Sequence, residues 1–411
     1  MAVSELRNRS KIGICLAIFS VTLIFYAAIS YKELRGQHSS GEPFFAPHYI
    51  YQARAFLQGK LHLDEPLPES VPNKGKYYVA EPPLPSLLML PLVARWGAQT
   101  NDVIFTLGLG ALNAVLVFLV LSRYRERGDL ALTEKEILWM VAFFAFGTIH
   151  FYMSLRGRVW FTNQIAATTM TLVYFFWLVD AKHPILAGLF SGLAATSRAT
   201  LALGALLYPL LYLKKRDSGS EGSQLKNLFL FGLPVVLMGL ALMTFNYLRF
   251  GNPIEFGYSY IVRTPLFGLR YIPDNFYDEY LRLPLFHKVF PYFVFDGRGM
   301  SFFIAMPGFL MLFLMRRFSR RMGAFLLVAL SIAFLLLTYQ AAGFIQFGPR
   351  YTLDFIPYLF LFLSMGLRQL NPIAKFLIVL SIVHNSWGAL IFPYAWSEVF
   401  SRSPLHDLFF K

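Results

Sequence analysis

The chain has 411 residues, of which 56% are hydrophobic and only 15% charged, against about 25% charged in an ordinary soluble protein. With a mean hydropathy of +0.51, this excludes a disordered chain, a coiled coil and a soluble enzyme, and points to a multi-pass membrane protein. The net charge of +14 would suit nucleic acid, but its distribution follows membrane topology instead.

In chain order the apolar segments fall at 12–30, 103–121, 137–154, 163–179, 184–196, 200–213, 227–248, 301–315, 322–340, 353–368 and 373–392. A helical span takes about 20 residues, so the expectation is an all-α, polytopic integral membrane protein with about 11 transmembrane helices. The apolar stretches are continuous rather than alternating, which argues against a β-barrel. The first segment follows Arg7, Arg9 and Lys11 and lacks a small-residue cleavage site, so it reads as a retained helix. It holds Cys15, the single cysteine, which excludes an intramolecular disulfide and a cysteine metal cage. Segments 184–196 and 200–213 are each too short to cross straight at 1.5 Å per residue. Their hinge, TSRAT at 196–200, carries Arg198 at a depth where a charge is costly and marks a functional candidate.

The short connections 1–11, 122–136, 180–183, 214–226, 316–321 and 369–375, with Arg368, hold 18 of the 37 Lys and Arg. By the positive-inside rule these connections and the N-terminus face the cytoplasm, and the C-terminus lies outside, in the inner (cytoplasmic) membrane of a cell. RYRER, KKR and RRFSRR then anchor against anionic lipid. The expected organisation is a single transmembrane domain over 1–392, with large outer loops at 31–102 and 249–300 and a short outer tail at 393–411. Within the first loop, 47–59 and 82–97 read as interfacial helices. RDSGSEGSQ, 216–224, is a low-complexity linker.

The sequence has no P-loop, HExxH, GxSxG or strand-borne GxGxxG. Candidate chemistry therefore rests on polar residues at the outer helix ends. Glu42, His48, His62, Asp64 and Glu65 in the first loop offer a base or a metal ligand. Arg54, Arg156, Arg158, Arg198, Arg298 and Arg350 offer the bidentate fork that suits phosphate. Arg350 and Asp354 are four apart, which places them within ion-pair reach on an α-helix. No two histidines show ligand-like spacing, and no cofactor is called for, although a divalent metal is compatible with this chemistry. Asn163, Gln164 and His384 suit interhelical hydrogen bonds.

HYIYQARAFLQGKLHL (48–63), GKYYVAEPPLPSLLMLPLVARWG (75–97), GLFSGLAATSRATLALGALLYPLLYL (188–213), RFGNPIEFGY (249–258) and QFGPRYTLDFIPYL (346–359) occur in that order. In layout and in these patches the chain resembles the GT-C glycosyltransferases, in particular the protein O-mannosyltransferase and aminoarabinose transferase branch. The resemblance implies a GT-C-like fold and transfer of a sugar from a polyprenyl-phosphate donor to a glycan, lipid or protein acceptor at the outer face. It places Pro47 where the family carries its general-base Asp, and Asn163 where it carries a second carboxylate. Arg198 stands at the family's hinge Lys, and Glu81 at the Lys before Pro-Pro. Glu42 with His48 is then the expected base. Arg198, Arg350 and Arg158 are the expected ligands of the donor phosphate, with no resident metal assigned. The same cations would serve a lipid or lipid-linked-sugar flippase, and the missing Asp would suit a non-catalytic membrane partner.

Overall fold

A computed structural model of the chain describes residues 2–36, 47–213, 221–286, 288, 292–344, 346–392 and 396–397. Glu42, most of the 393–411 tail and much of the 216–224 linker lie outside the described residues. All eleven apolar segments fall on helix. The first half runs α1 (Ala2–Ile29), α2 (Tyr31–Gly36), α3 (His48–Leu57), a hairpin of β1 (Val71–Asn73) and β2 (Lys76–Tyr78), α4 (Leu84–Trp96), α5 (Asp102–Glu126), α6 (Glu134–Gly147), α7 (Ile149–Ser154) and α8 (Val159–Leu178). It continues with α9 (Pro184–Ala195), α10 (Leu207–Tyr212), α11 (Glu221–Phe250), α12 (Tyr258–Ile261) and α13 (Ile272–Phe276). The rest comprises β3 (Leu285–Phe286), β4 (Phe293–Asp296), α14 (Phe302–Ala305), α15 (Arg320–Leu337), α16 (Ile356–Gly366), α17 (Pro372–Ile391) and β5 (Trp396–Ser397). By length and composition, five described helices can each cross a membrane, within α1, α5, α11, α15 and α17. Of the six other apolar segments, 163–179 lies on the 20-residue α8 and the rest on shorter or broken helical elements.

Local chemistry explains the breaks. Segment 137–154 divides at Thr148, whose backbone is extended and whose hydroxyl donates to the Phe144 carbonyl at 2.8 Å. Helix α6 begins at a capping box: Thr133 Oγ1 accepts from the Glu136 N–H, and the Glu136 carboxylate accepts from the Thr133 N–H at 2.8 Å. After α9 the chain turns at Thr196–Arg198 and continues as a 3-10 helix, Ala199–Leu206, before α10. At ~2.0 Å per residue that turn type carries the chain further than an α-helix of equal length, which lets a short segment gain depth. Helix α9 packs on both α8 and α11. Gly188 and Gly192, four apart, permit the close approach to α11: a Cβ on Gly188 would stand 2.0 Å from the Phe231 carbonyl oxygen.

The core is one large aromatic-rich cluster that includes the fully buried Tyr26, Phe118, Tyr124, Phe143, Phe144 and Phe175. At one end of the bundle the basic connections join. Arg123 and Arg127 meet Asp180 at 3.0 and 3.4 Å, Arg321 meets Asp129 at 2.6 Å, and Lys11 pairs with Glu126. Glu136 accepts from the Leu370 N–H at 2.7 Å, and Arg320 donates to the Leu213 carbonyl at 3.2 Å. Described residues of five of the connections expected on one side of the membrane, with Leu213 at the edge of the sixth, are thus linked at one end of the molecule.

Candidate functional site

The opposite end holds the candidate residues. The 3-10 segment Ala199–Leu206 starts directly after Arg198, and a second one, Arg350–Asp354, leads into α16. Between them the Asp354 carboxylate is saturated. Arg198 Nε lies 3.1 Å from each of its oxygens and Nη2 2.8 Å from Oδ2, Thr200 Oγ1 donates at 2.6 Å, and Gln164 Nε2 at 3.1 Å. Gln164 also donates to the Arg350 carbonyl at 2.9 Å, and Asn163 accepts from the Ser197 hydroxyl at 2.7 Å. The start of α8 therefore fixes the hinge and the 3-10 segment together. The Arg350–Asp354 pair expected from their spacing does not form. A 3-10 helix advances about 120° per residue, so residues four apart point about 120° away from each other.

Arg350 is left in an unusual state. It is buried, and no carboxylate pairs with it among the described residues. Its Nε has no hydrogen-bond partner, and Nη2 reaches only the Tyr351 hydroxyl at 3.4 Å. The guanidinium stands among the rings of Trp160, Phe161 and Tyr351 at 5.9, 5.8 and 4.9 Å. Cation–π contacts contribute about 0.5–2 kcal/mol, whereas an uncompensated buried charge costs several kcal/mol. The rings do not offset that cost; an anion beside Arg350 would.

Glu81 is the complementary case, and sequence reasoning passed over it as a substituted position. It is 7% exposed, and no hydrogen bond or ion pair engages its carboxylate among the described residues. The cause is local. Glu81 stands two residues before the N-cap of α4, where backbone N–H groups would ordinarily serve a carboxylate, but Pro82, Pro83 and Pro85 have none to give. Its electrostatic neighbours are Tyr49, Tyr258, Glu69 and Arg249. Burial, and then the Glu81 charge, push the Tyr49 phenol up. The same two causes raise the Glu69 carboxyl, which His48 and Arg350 draw the other way. Glu69 sits at a positive φ of 61° and is within range of both Glu81 and Arg350. Arg249, at the end of α11, donates to the Val79 carbonyl at 2.5 Å and so ties the strand leading to Glu81 against the bundle.

The other candidates are placed as follows. His48 begins α3, is buried, and holds the Pro68 carbonyl through Nε2 at 2.6 Å, while Nδ1 has no partner. Arg158 and Arg156 converge on Glu33 of α2 at 3.9 and 3.1 Å. Arg298 meets Asp278 at 3.4 Å, and Arg54 lies over the Tyr51 ring. Asp64 pairs with Lys60 at 2.5 Å on the surface. Among the described residues no group of three or more His, Cys, Asp or Glu is arranged to hold a metal.

An apolar cavity of about 410 Å³ opens between α4, α9 and α11, lined by Leu87, Leu193, Met238, Leu242 and Phe245 among others. Its wall includes Pro83, two residues after Glu81, and Thr196, two residues before Arg198. The apolar groove therefore ends within two residues of both Glu81 and Arg198 along the chain.

The helical fold and its long apolar helices define a helical, multi-pass membrane protein. No family model matches the chain, and no curated protein matches it. Among solved structures it is similar to the crystal structure of ArnT from Cupriavidus metallidurans bound to undecaprenyl phosphate, with a TM-score of 0.48 and 13% sequence identity, over 88% of this chain and 61% of that chain. The chain thus spans less than two thirds of that protein's length.

Proposed function

We propose that the protein is a membrane glycosyltransferase of the GT-C kind, transferring a sugar from a polyprenyl-phosphate donor to an acceptor hydroxyl. The observation that carries this reading is a buried guanidinium, Arg350, and a buried carboxylate, Glu81, each unpaired among the described residues, both within electrostatic range of Glu69 and close to an apolar groove. The groove takes the first part of the polyprenyl chain. Arg350 takes the phosphate, and Arg198, oriented by Asp354, adds positive charge beside it. Glu81 accepts the acceptor's proton as the hydroxyl oxygen bonds to the anomeric carbon. The bond from that carbon to the phosphate oxygen breaks, and the lipid phosphate leaves with the electron pair. Preorganised cations in a water-poor site stabilise that leaving group, and a positioned base contributes about 10²–10⁴-fold. The basic end of the bundle faces the cytoplasm, and Glu81, Arg198 and Arg350 face the outer side.

The test is transfer by the purified protein, reconstituted in nanodiscs, from a panel of polyprenyl-phosphate sugars to water or a sugar acceptor. Transfer that is lost in Glu81→Gln supports the reading. Binding of polyprenyl phosphate with no transfer from any donor would replace it with a transporter or a non-catalytic partner.

A further inference from the structure

A second apolar groove, of about 330 Å³, lies on the side of the bundle formed by α15, α16 and the 3-10 helix Pro307–Leu314. It exists because Ala329 and Ala333, one turn apart on α15, present only methyl groups where neighbouring positions carry Leu, and because the chain stops being helical after Leu314. Leu330, on its rim, is 58% exposed. One end of the groove is closed by Tyr280; at the other end stand Met315, Leu326 and Phe362.

Beyond Met315 the chain turns from apolar to charged. The backbone N–H groups of Arg316 and Arg317 both donate to the Gly366 carbonyl, at 3.1 and 3.2 Å. That contact sets the two arginines beside Arg368, two residues beyond Gly366. All three are exposed. Among the described residues none of the three side chains forms an ion pair or hydrogen bond. Their neighbours at this end behave differently: Arg123 and Arg127 hold Asp180, Arg321 holds Asp129, and Arg320 holds a backbone carbonyl. Arg316 directly follows Met315, a residue of the groove's lining. That adjacency suits a headgroup phosphate at the membrane boundary with its acyl chain in the groove.

We infer that this groove and Arg316, Arg317 and Arg368 form a binding site for one anionic phospholipid of the leaflet at the basic end. The three guanidiniums take its phosphate, and the groove takes one acyl chain running toward Tyr280. Charge complementarity selects the occupant: an apolar face alone would accept any tail, but three unpaired cations at its mouth favour an anionic headgroup. The site lies away from Glu81 and Arg350 and does not depend on sugar transfer.

The experiment measures lipid retained by the full-length protein in native mass spectrometry, with phosphatidylglycerol and phosphatidylcholine of identical chains as probes. One phosphatidylglycerol should bind in preference to phosphatidylcholine. Replacing all three arginines by Gln should lower that affinity roughly 100-fold. Filling the groove with Ala329→Leu and Ala333→Leu should also release the lipid, although every arginine remains. Undiminished phosphatidylglycerol binding in a folded groove-filled protein would overturn the site and leave a diffuse anchor. Should that variant not fold, phosphatidylglycerol carrying a photoreactive group in its acyl chain is crosslinked to the wild type. Label on Leu330 and Leu312 supports the inference, and label confined to other helices refutes it.

Discussion

Arg198 and Asp354 meet across 156 residues of chain, with Nη2 2.8 Å from Oδ2 and a side-chain exposure of 1% at the carboxylate. The pair joins the hinge after α9 to the 3-10 helix before α16. Truncating one partner of a buried pair leaves the other charge uncompensated, at a cost of about 3–5 kcal/mol. Asp354→Ala should therefore lower the thermal midpoint markedly, while Arg198→Met combined with Asp354→Leu should recover most of the loss. Equal damage in the single and double variants would show that the pair is not the unit that matters.

Arg350 should behave in the opposite way. Its buried charge has no carboxylate partner among the described residues, so Arg350→Ala should leave the thermal midpoint unchanged or raise it. Binding of polyprenyl phosphate should fall by at least roughly 30-fold, the loss typical of removing one partner of a buried charge pair. Wild-type affinity in that variant would remove Arg350 from the phosphate site.

Three variants separate the possible bases. Glu81→Gln should reduce transfer by about 10²–10⁴-fold with little change in donor affinity. His48→Ala should reduce it less, because His48 Nε2 already holds Pro68, and with Glu81 as the base so should Glu42→Gln. Full activity of Glu81→Gln, with loss in Glu42→Gln, would return the role to the first-loop residue.

Glu279 lies in a π-helical turn, Tyr277–Leu281, outside the five long spans. It is fully buried, and neither carboxyl oxygen has a hydrogen-bond partner. Burial first, then the Asp278 and Asp354 charges, push its carboxyl up to about 8 from 4.5; Arg282 and Arg298 face Asp278 rather than Glu279. The native form holds this proton, and the unfolded chain releases it above its ordinary value. Between about pH 4.5 and pH 8 the native state thus binds more protons, so stability falls as pH rises through that window and levels off above it. Thermal midpoints measured from pH 5 to pH 9 should show that decline in the wild type and a flatter profile in Glu279→Gln. Identical profiles would refute the assignment.

Gly188 and Gly239 test the contact between α9 and α11. A Cβ at Gly188 meets the Phe231 carbonyl oxygen at 2.0 Å, whereas one at Gly239 meets nothing within 4 Å. Gly188→Ala should cost about 3 kcal/mol through overpacking. Gly239→Ala should be neutral or gain up to about 1 kcal/mol from helix propensity. Similar midpoints for the two would show that the helices separate freely at Gly188.

The helical architecture was legible because a long apolar run leaves few alternatives, and the hinge at TSRAT was legible because two half-length runs flank it. The break at Thr148 was not, since hydropathy does not register one side chain competing for a backbone carbonyl. The Arg350–Asp354 pairing failed for a similar reason: periodicity does not tell a 3-10 turn from an α-turn. Asp354's actual partner, Arg198, is 156 residues away, and a single sequence carries no mark of that proximity. Glu81 was visible as a carboxylate before two prolines. Its significance lies in the donors it lacks, and that appears only once the surrounding side chains are placed.

The ring of charges at the basic end has a consequence for biogenesis. Asp129 is translated 192 residues before Arg321, and at about 5–20 residues per second this interval lasts roughly 10–40 s. Until then its cation in the ring is Arg127, whose Nε stands 3.4 Å away in the finished structure. Early helices thus enter the bilayer with one clasp open, and the arrival of α15 shuts it. A ribosome stalled before residue 320 would leave a half-built bundle with Asp129 still short of that partner, a state that quality-control proteases could tell from the completed protein.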